Sequence, residues 1–197
     1  MARYGAKYIR WAPFAAESPE PENALPKYGP AISLAELNKL TDAPTFAEGK
    51  QYGDDGLAEY VSEFVEVAID LEITDLPVDI EQPVLGVKKT GTPTNAEITH
   101  FSSDDTAPYG GLGFVSCIMR NNVRKYQGIF YPKVKAAMQG EEFTTKGDSI
   151  TLTGGKLKFV GAAANSGDWK LKSNYLASFA EAKKWVDDLH SGTAPGK

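Results

Sequence analysis

Few side chains in this 197-residue chain have the types and spacing that chemistry needs. Two aspartate pairs stand out, Asp54-Asp55 and Asp104-Asp105. Paired carboxylates can divide acid and base roles in hydrolysis or hold a hard cation. Aspartate in a turn also bonds nearby backbone groups, and that explains each pair equally well. Glu66, Asp70 and Glu72 form a third acidic set, on alternate positions of one segment. Neither a base nor a metal partner accompanies them, so they read as a charged wall rather than a pocket. His100 and His190 are the only histidines and are too distant in sequence to suggest a shared metal site. His190 falls at an expected helix C-terminus, where it can interact with the last carbonyls. Cys117 is the only cysteine, so no intramolecular disulfide forms, and its apolar flanks predict a small packed residue. No P-loop, dinucleotide fingerprint or Gly-x-Ser-x-Gly elbow occurs. Gly110-Gly111-Leu112-Gly113 lacks the spacing of a phosphate cradle and reads as a flexible entry to a strand. The expectation is a non-enzyme without cofactor or metal.

The acidic set belongs to the most patterned stretch of the chain, Tyr52 to Gly86. Val65, Val67, Ile69, Leu71 and Ile73 share one parity, and Glu66, Ala68, Asp70, Glu72 and Thr74 the other. Strand side chains alternate between faces, so this is a half-buried strand with an acidic outer face. Same-face neighbours lie roughly 6.7 Å apart. Asp75 is placed to cap a short helix with Pro77 in its first turn, and Pro83 limits its length.

Before it, residues 3–14 are aromatic-rich and predict a strand or arm that docks on its own domain or on a neighbour. The stretch 17–30 holds Pro19, Pro21, Pro26 and Pro30 and predicts an extended connector. Residues 31–40 fit both strand and helix patterns. Pro44, Gly49, Gly53 and Gly56 then predict a long loop over 41–59. After it, 87–110 reads as a second loop with a short strand near Glu97–Phe101. Two alternating runs flank Asn121-Asn122, a pair suited to a two-residue hairpin turn. That hairpin is basic, with Arg120, Arg124, Lys125, Lys133 and Lys135. Strands are expected at Ser149–Thr153, Lys156–Val160 and Trp169–Leu171. Ser178 and Glu181 form a capping-box pattern for a last helix, whose face carries Phe179, Ala182, Val186 and Leu189 with Trp185 beside them. Gly192 ends it.

Length and composition predict one domain, with 42% hydrophobic and 24% charged residues. A net charge of −5 argues against binding nucleic acid by neutralising its phosphates. No run approaches a membrane span, and the N-terminus lacks the apolar core of a signal peptide, so cytoplasmic synthesis is expected.

The order of landmarks resembles the major tail protein, or tail tube protein, family of long-tailed bacteriophages with flexible tails. The likeness rests on GAKYIRWAPF, KQYGDDGLAEYVSEF, VAIDLEITDLPVDIEQPVLG, DDTAPYGGLGF, VRKYQGIFYPKVK, KGDSITL and FAEAKKWVDDL, in that order. It departs in the Pro-rich 16–30, at Pro83, at Gly110 and in the long 87–103. The resemblance implies a mainly β fold with α, a β-sandwich or half-barrel with a short helix after the long strand and a C-terminal helix. It implies stacked hexameric rings whose lumen holds the tape-measure protein and conducts double-stranded DNA. Tail terminator and distal tail proteins would be further partners, the location the virion tail after assembly in the host cytoplasm, and membrane insertion absent. The N-terminal arm (1–30), the loop 41–59 and the tail 191–197 become inter-subunit elements. Tyr4, Tyr8, Trp11, Tyr52, Asp54, Asp55 and Glu59 are their contact candidates. Glu66, Asp70 and Glu72 become lumen candidates whose charge would repel DNA. Competing readings are a monomeric carbohydrate- or ligand-binding β-sandwich using exposed Trp11 and Trp169, an enzyme using the aspartate pairs, and a tube protein of a contractile or secretion system.

Overall fold

The computed structural model describes residues 2–15, 20–91, 97–140 and 154–192. The expected strand at Ser149–Thr153 and most of the tail 191–197 lie outside them. The fold is mainly β with two helices. One antiparallel sheet runs in the order β2 (Ile32–Ser33), β1 (Ala2–Pro13), β7 (Tyr109–Arg120), β8 (Val123–Ala137), β9 (Gly155–Gly161), β4 (Gly56–Ile73) and β3 (Leu37–Gly53). A two-residue strand β10 (Leu171–Lys172) adds to β8, and β5 (Lys88–Thr90) pairs with β6 (Ile98–His100) apart from the sheet.

The sheet curls. Ile9 and Trp11 of β1 share one buried cluster with Val67, Ile69, Leu71 and Ile73 of β4, although β7, β8 and β9 lie between those strands. Tyr131 of β8 likewise donates a 2.9 Å hydrogen bond to Asp42 of β3. The result is a half-barrel closed on its own apolar face. Helix α1 (Val78–Leu85) adds Ile80 and Val84 to this core. Its N-cap is Pro77, with no side-chain capping bond, which corrects the expected Asp75 cap. Pro77 holds φ at −61° with an extended ψ, so the helix can start only after it.

Helix α2 (Phe179–His190) covers the opposite face of β7 and β8. Ser178 and Glu181 complete the capping box, and Ala182, Val186 and Leu189 are buried. The helix sits close because glycine lies beneath it. A Cβ on Gly113 would come within 2.6 Å of Val186, and one on Gly128 within 2.3 Å of the Trp185 ring. A Cβ on Gly110 would meet Ala12 O at 2.3 Å and the Trp11 ring at 2.6 Å. The expected flexible entry is therefore a tightly packed strand, and its glycines allow close approach.

Of the two expectations for 3–14, the strand docked on its own domain is the one observed: the segment is β1, hydrogen-bonded along β7 inside the sheet. The expectation for 41–59 needs correction. The predicted loop 41–59 is part of a long hairpin, with β3 and β4 paired from Leu37↔Ile73 to Gly53↔Gly56 and the register shifting at three places, between Leu37 and Lys39, Thr45 and Phe46, and Gln51 and Tyr52. Pro44 was misleading because β3 is an edge strand, where half of the backbone N–H groups need no strand partner.

Candidate assembly surface

The β3–β4 hairpin leaves the body of the protein. The last pair between β4 and β9 is Val67↔Gly161, and beyond it β3 is the only strand paired with β4 among the described residues. At a rise of about 3.4 Å per residue, the ten positions from Gly56 to Val65 span roughly 34 Å. The tip is the two-residue turn Asp54-Asp55, with φ of 47° and 62°. Both values are left-handed, as a twisted two-residue hairpin demands, and aspartate tolerates that region better than most residues.

This arm has no core of its own. Tyr52 is 71% exposed, Leu57 55% and Val65 52%, with Tyr60 and Val61 close behind. Alternation predicts Val65 on the buried face, but the register shifts from Thr45↔Glu66 to Phe46↔Phe64, which leaves Val65 as an extra, exposed residue and turns Phe64 toward the core instead. The base of the arm is better held. Phe64 stacks on Trp169 with centroids 4.6 Å apart, and Phe46 meets Phe64 edge-on. Asp42 pairs with Lys170 and accepts from Tyr131. Burial alone would raise the Asp42 pKa, but the bonds from Lys170 and Tyr131 outweigh it and hold the carboxyl below its ordinary value. Burial, with the Asp42 charge adding to it, pushes the Tyr131 phenol well up.

The predicted wall is interleaved with cations. Glu66, Asp70 and Glu72 all point to solvent. In register, however, Glu72 lies between Lys39 of β3 and Lys156 of β9, and Asp70 lies beside Lys158. Glu72 and Lys39 are 3.4 Å apart, and Gln139 donates to Asp70 at 3.3 Å. The pairing of β4 with β9 places these lysines far away in sequence, so the local pattern could not reveal them.

The predicted contact residues divide. Tyr52, Asp54, Asp55 and Glu59 gather at the tip of the arm. Tyr4 is exposed at the start of β1, where the Arg124 guanidinium lies 5.7 Å from its ring. Tyr8 is half-buried and donates its hydroxyl to Asp187 at 2.8 Å. Trp11 is a correction. It is fully buried in its own core, with no surface for a neighbour or a sugar. Trp169 is stacked against Phe64, so the two tryptophans form no shared aromatic platform. Sequence reasoning missed Phe46, Leu57, Tyr60, Val61 and the Asp42–Lys170–Tyr131 tie. Only the length of β9 exposes the first group, and only the curl of the sheet assembles the second.

The remaining candidates are structural. Asp105 accepts from the Ser102 N–H at 2.6 Å, which is turn chemistry. His100 meets the Thr90 hydroxyl at 2.7 Å across the β5–β6 pair. Cys117 is buried and free. His190 is buried, with Nδ1 3.1 Å from Val186 O and Nε2 3.2 Å from Gly111 O, so it ties α2 to β7. Burial pushes its pKa below the ordinary histidine value. Compared with known proteins, the chain matches no family model and no curated protein sequence.

Proposed function

We propose that this chain is the structural subunit of a bacteriophage tail tube, assembling into stacked hexameric rings. The bare β3–β4 arm is the observation that carries this reading. A two-stranded ribbon with exposed Tyr52, Leu57, Tyr60, Val61 and Val65, and with edges unpaired among the described residues, is an aggregation hazard on a lone molecule. In a ring, neighbouring copies cover the ribbon and remove its edges. The order of sequence landmarks supports the specific assembly. In this reading the arm, with Tyr52, Asp54, Asp55 and Glu59, reaches a neighbouring copy. The face carrying Glu66, Asp70 and Glu72 borders a lumen that holds the tape-measure protein and passes DNA. Its lysines make that surface one of alternating charge, which holds phosphate weakly and repels it weakly. Tail terminator and distal tail proteins would close the two ends of the tube.

Electron microscopy of the purified chain tests the proposal. Hollow tubes or rings of uniform diameter are expected. A chain that stays monomeric by light scattering across salt and concentration, without tubes, would refute it.

A further inference from the structure

Charge is segregated in this fold to a degree that the net value of −5 conceals. Strands β1, β7 and β8 together carry eight Lys and Arg and no Asp or Glu. The β3–β4 hairpin with its turn carries nine Asp and Glu against two Lys. Between Thr45 and Glu66 the only cation is Lys50, and it pairs with Glu48. Among the described residues, no carboxylate lies within ion-pair distance of Arg3, Arg120, Arg124 or Lys125. Arg3, Arg120 and Arg124 are exposed and Lys125 is half-buried.

The two sets cannot neutralise each other as sheet neighbours in one chain. Strand β9 and the connection after it lie between them, and past Gly161 the edge of β8 is taken by β10 and by Leu176. They nevertheless sit at the same end of the sheet. At the level of Gly161 stand Val67 of β4 and Val134 of β8. From there both hairpins run the same way, to Asp54-Asp55 in one and to Asn121-Asn122 in the other.

Height decides which neighbour can use this complementarity. A copy displaced along the strands presents its far end to the arm. A copy rotated about an axis parallel to the strands keeps both ends level. We propose that the acidic arm of one copy lies against the basic β1–β7–β8 end of a laterally adjacent copy, as a ring contact rather than a stacking contact. This rests on the assembly reading above and names the receiving surface within it. Opposite charges at close range favour the correct lateral partner, and like charges oppose the arm-to-arm pairing that its exposed edges would otherwise invite. Added salt should weaken the contact, since charges on exposed surfaces are screened within about 10 Å at 0.1 M.

The test uses two full-length variants. One reverses the arm with Asp54→Lys, Asp55→Lys, Glu59→Lys and Glu63→Lys. The other reverses the receiver with Arg120→Glu, Arg124→Glu and Lys125→Glu. All seven positions are exposed or half-buried, and circular dichroism checks the fold. Each variant alone should lose assembly by light scattering and microscopy, with association weakened at least about tenfold. A one-to-one mixture should recover assembly, because each arm then meets an opposite charge. Folded variants that assemble as the parent does would overturn this inference and leave the tube reading standing. So would a mixture that stays dispersed. If Arg120→Glu, Arg124→Glu and Lys125→Glu instead abolish retention of a short DNA duplex while assembly is unchanged, the basic end serves nucleic acid and the inference falls. A parent chain that remains monomeric overturns both proposals.

Discussion

Two hairpins of this protein begin from the same plan and reach opposite ends. Each pairs two long strands through a two-residue turn in left-handed backbone, Asn121-Asn122 in one and Asp54-Asp55 in the other, and both point the same way. The β7–β8 hairpin is basic and, apart from its exposed tip from Met119 to Arg124, lies between the curled core on one side and α2 on the other. The β3–β4 hairpin is acidic and, past Phe64, covered on neither face among the described residues. Backbone pairing alone therefore does not make a stable body. What separates the two is whether other strands and a helix reach them. A region complete in itself belongs to the fold, and one left incomplete is available to a partner.

The comparison makes its sharpest demand at two aromatic residues. Trp11→Ala should cost about 3–5 kcal/mol in chemical denaturation, since it empties a fully buried site. Tyr52→Ala should change monomer stability by no more than about 0.5 kcal/mol while reducing assembly. Equal losses of stability would break the distinction. Two glycines repeat the contrast at smaller size. Gly128→Ala drives a methyl into Trp185 and should destabilise by about 1–3 kcal/mol, with weaker protection of α2 in hydrogen exchange. Gly49→Ala meets nothing within 4 Å and should be neutral or stabilising by up to about 1 kcal/mol.

Acid separates the body from the base of the arm. His190 has a folded pKa below its ordinary value of about 6.5, so its contribution is full above that pH. It is lost as pH falls from there through the depressed folded value, because the unfolded chain takes up the proton first. His190→Gln should flatten that part of a stability–pH curve. Asp42 also has a lowered folded pKa, so its contribution persists to lower pH. Loss begins below its ordinary value of about 3.9, and Asp42→Asn should remove that step. The smallest effect is expected at the tip. Asp54→Asn with Asp55→Gly supplies the preferred pair for this turn and should stabilise the hairpin by a few tenths of a kcal/mol, read by thermal unfolding.

The sequence spoke clearly where a few adjacent residues settle the matter. The Asn121-Asn122 turn, the Ser178–Glu181 box and the alternation from Val67 to Ile73 are local patterns with local causes. It spoke poorly where the outcome depends on what arrives from elsewhere in the chain. Pro44 and Gly49 look like breaks until β3 is known to be an edge. Val65 has the parity of a core residue and loses its cover where the β3–β4 register shifts and β9 has already ended at Gly161. Trp11 looked like a contact for a neighbour because its own core is brought in by strands far along the chain. At the candidate surface, the tip residues were legible as an acidic turn. The lysines that interleave with Asp70 and Glu72 were not, since they come from β9.

The position of β1 also has a consequence in time. Arg3 pairs with Ile118 and Trp11 with Leu112, so β1 waits roughly a hundred residues of synthesis for its partner. The β3–β4 hairpin needs only itself, and contacts so near in sequence form early. The order of events is then the reverse of the order of burial. The acidic ribbon can then pair before the core around β1 is enclosed. In the assembly proposed above, the like charges from Glu48 to Glu66 would keep the ribbons of neighbouring nascent chains apart until a folded basic end exists to receive them.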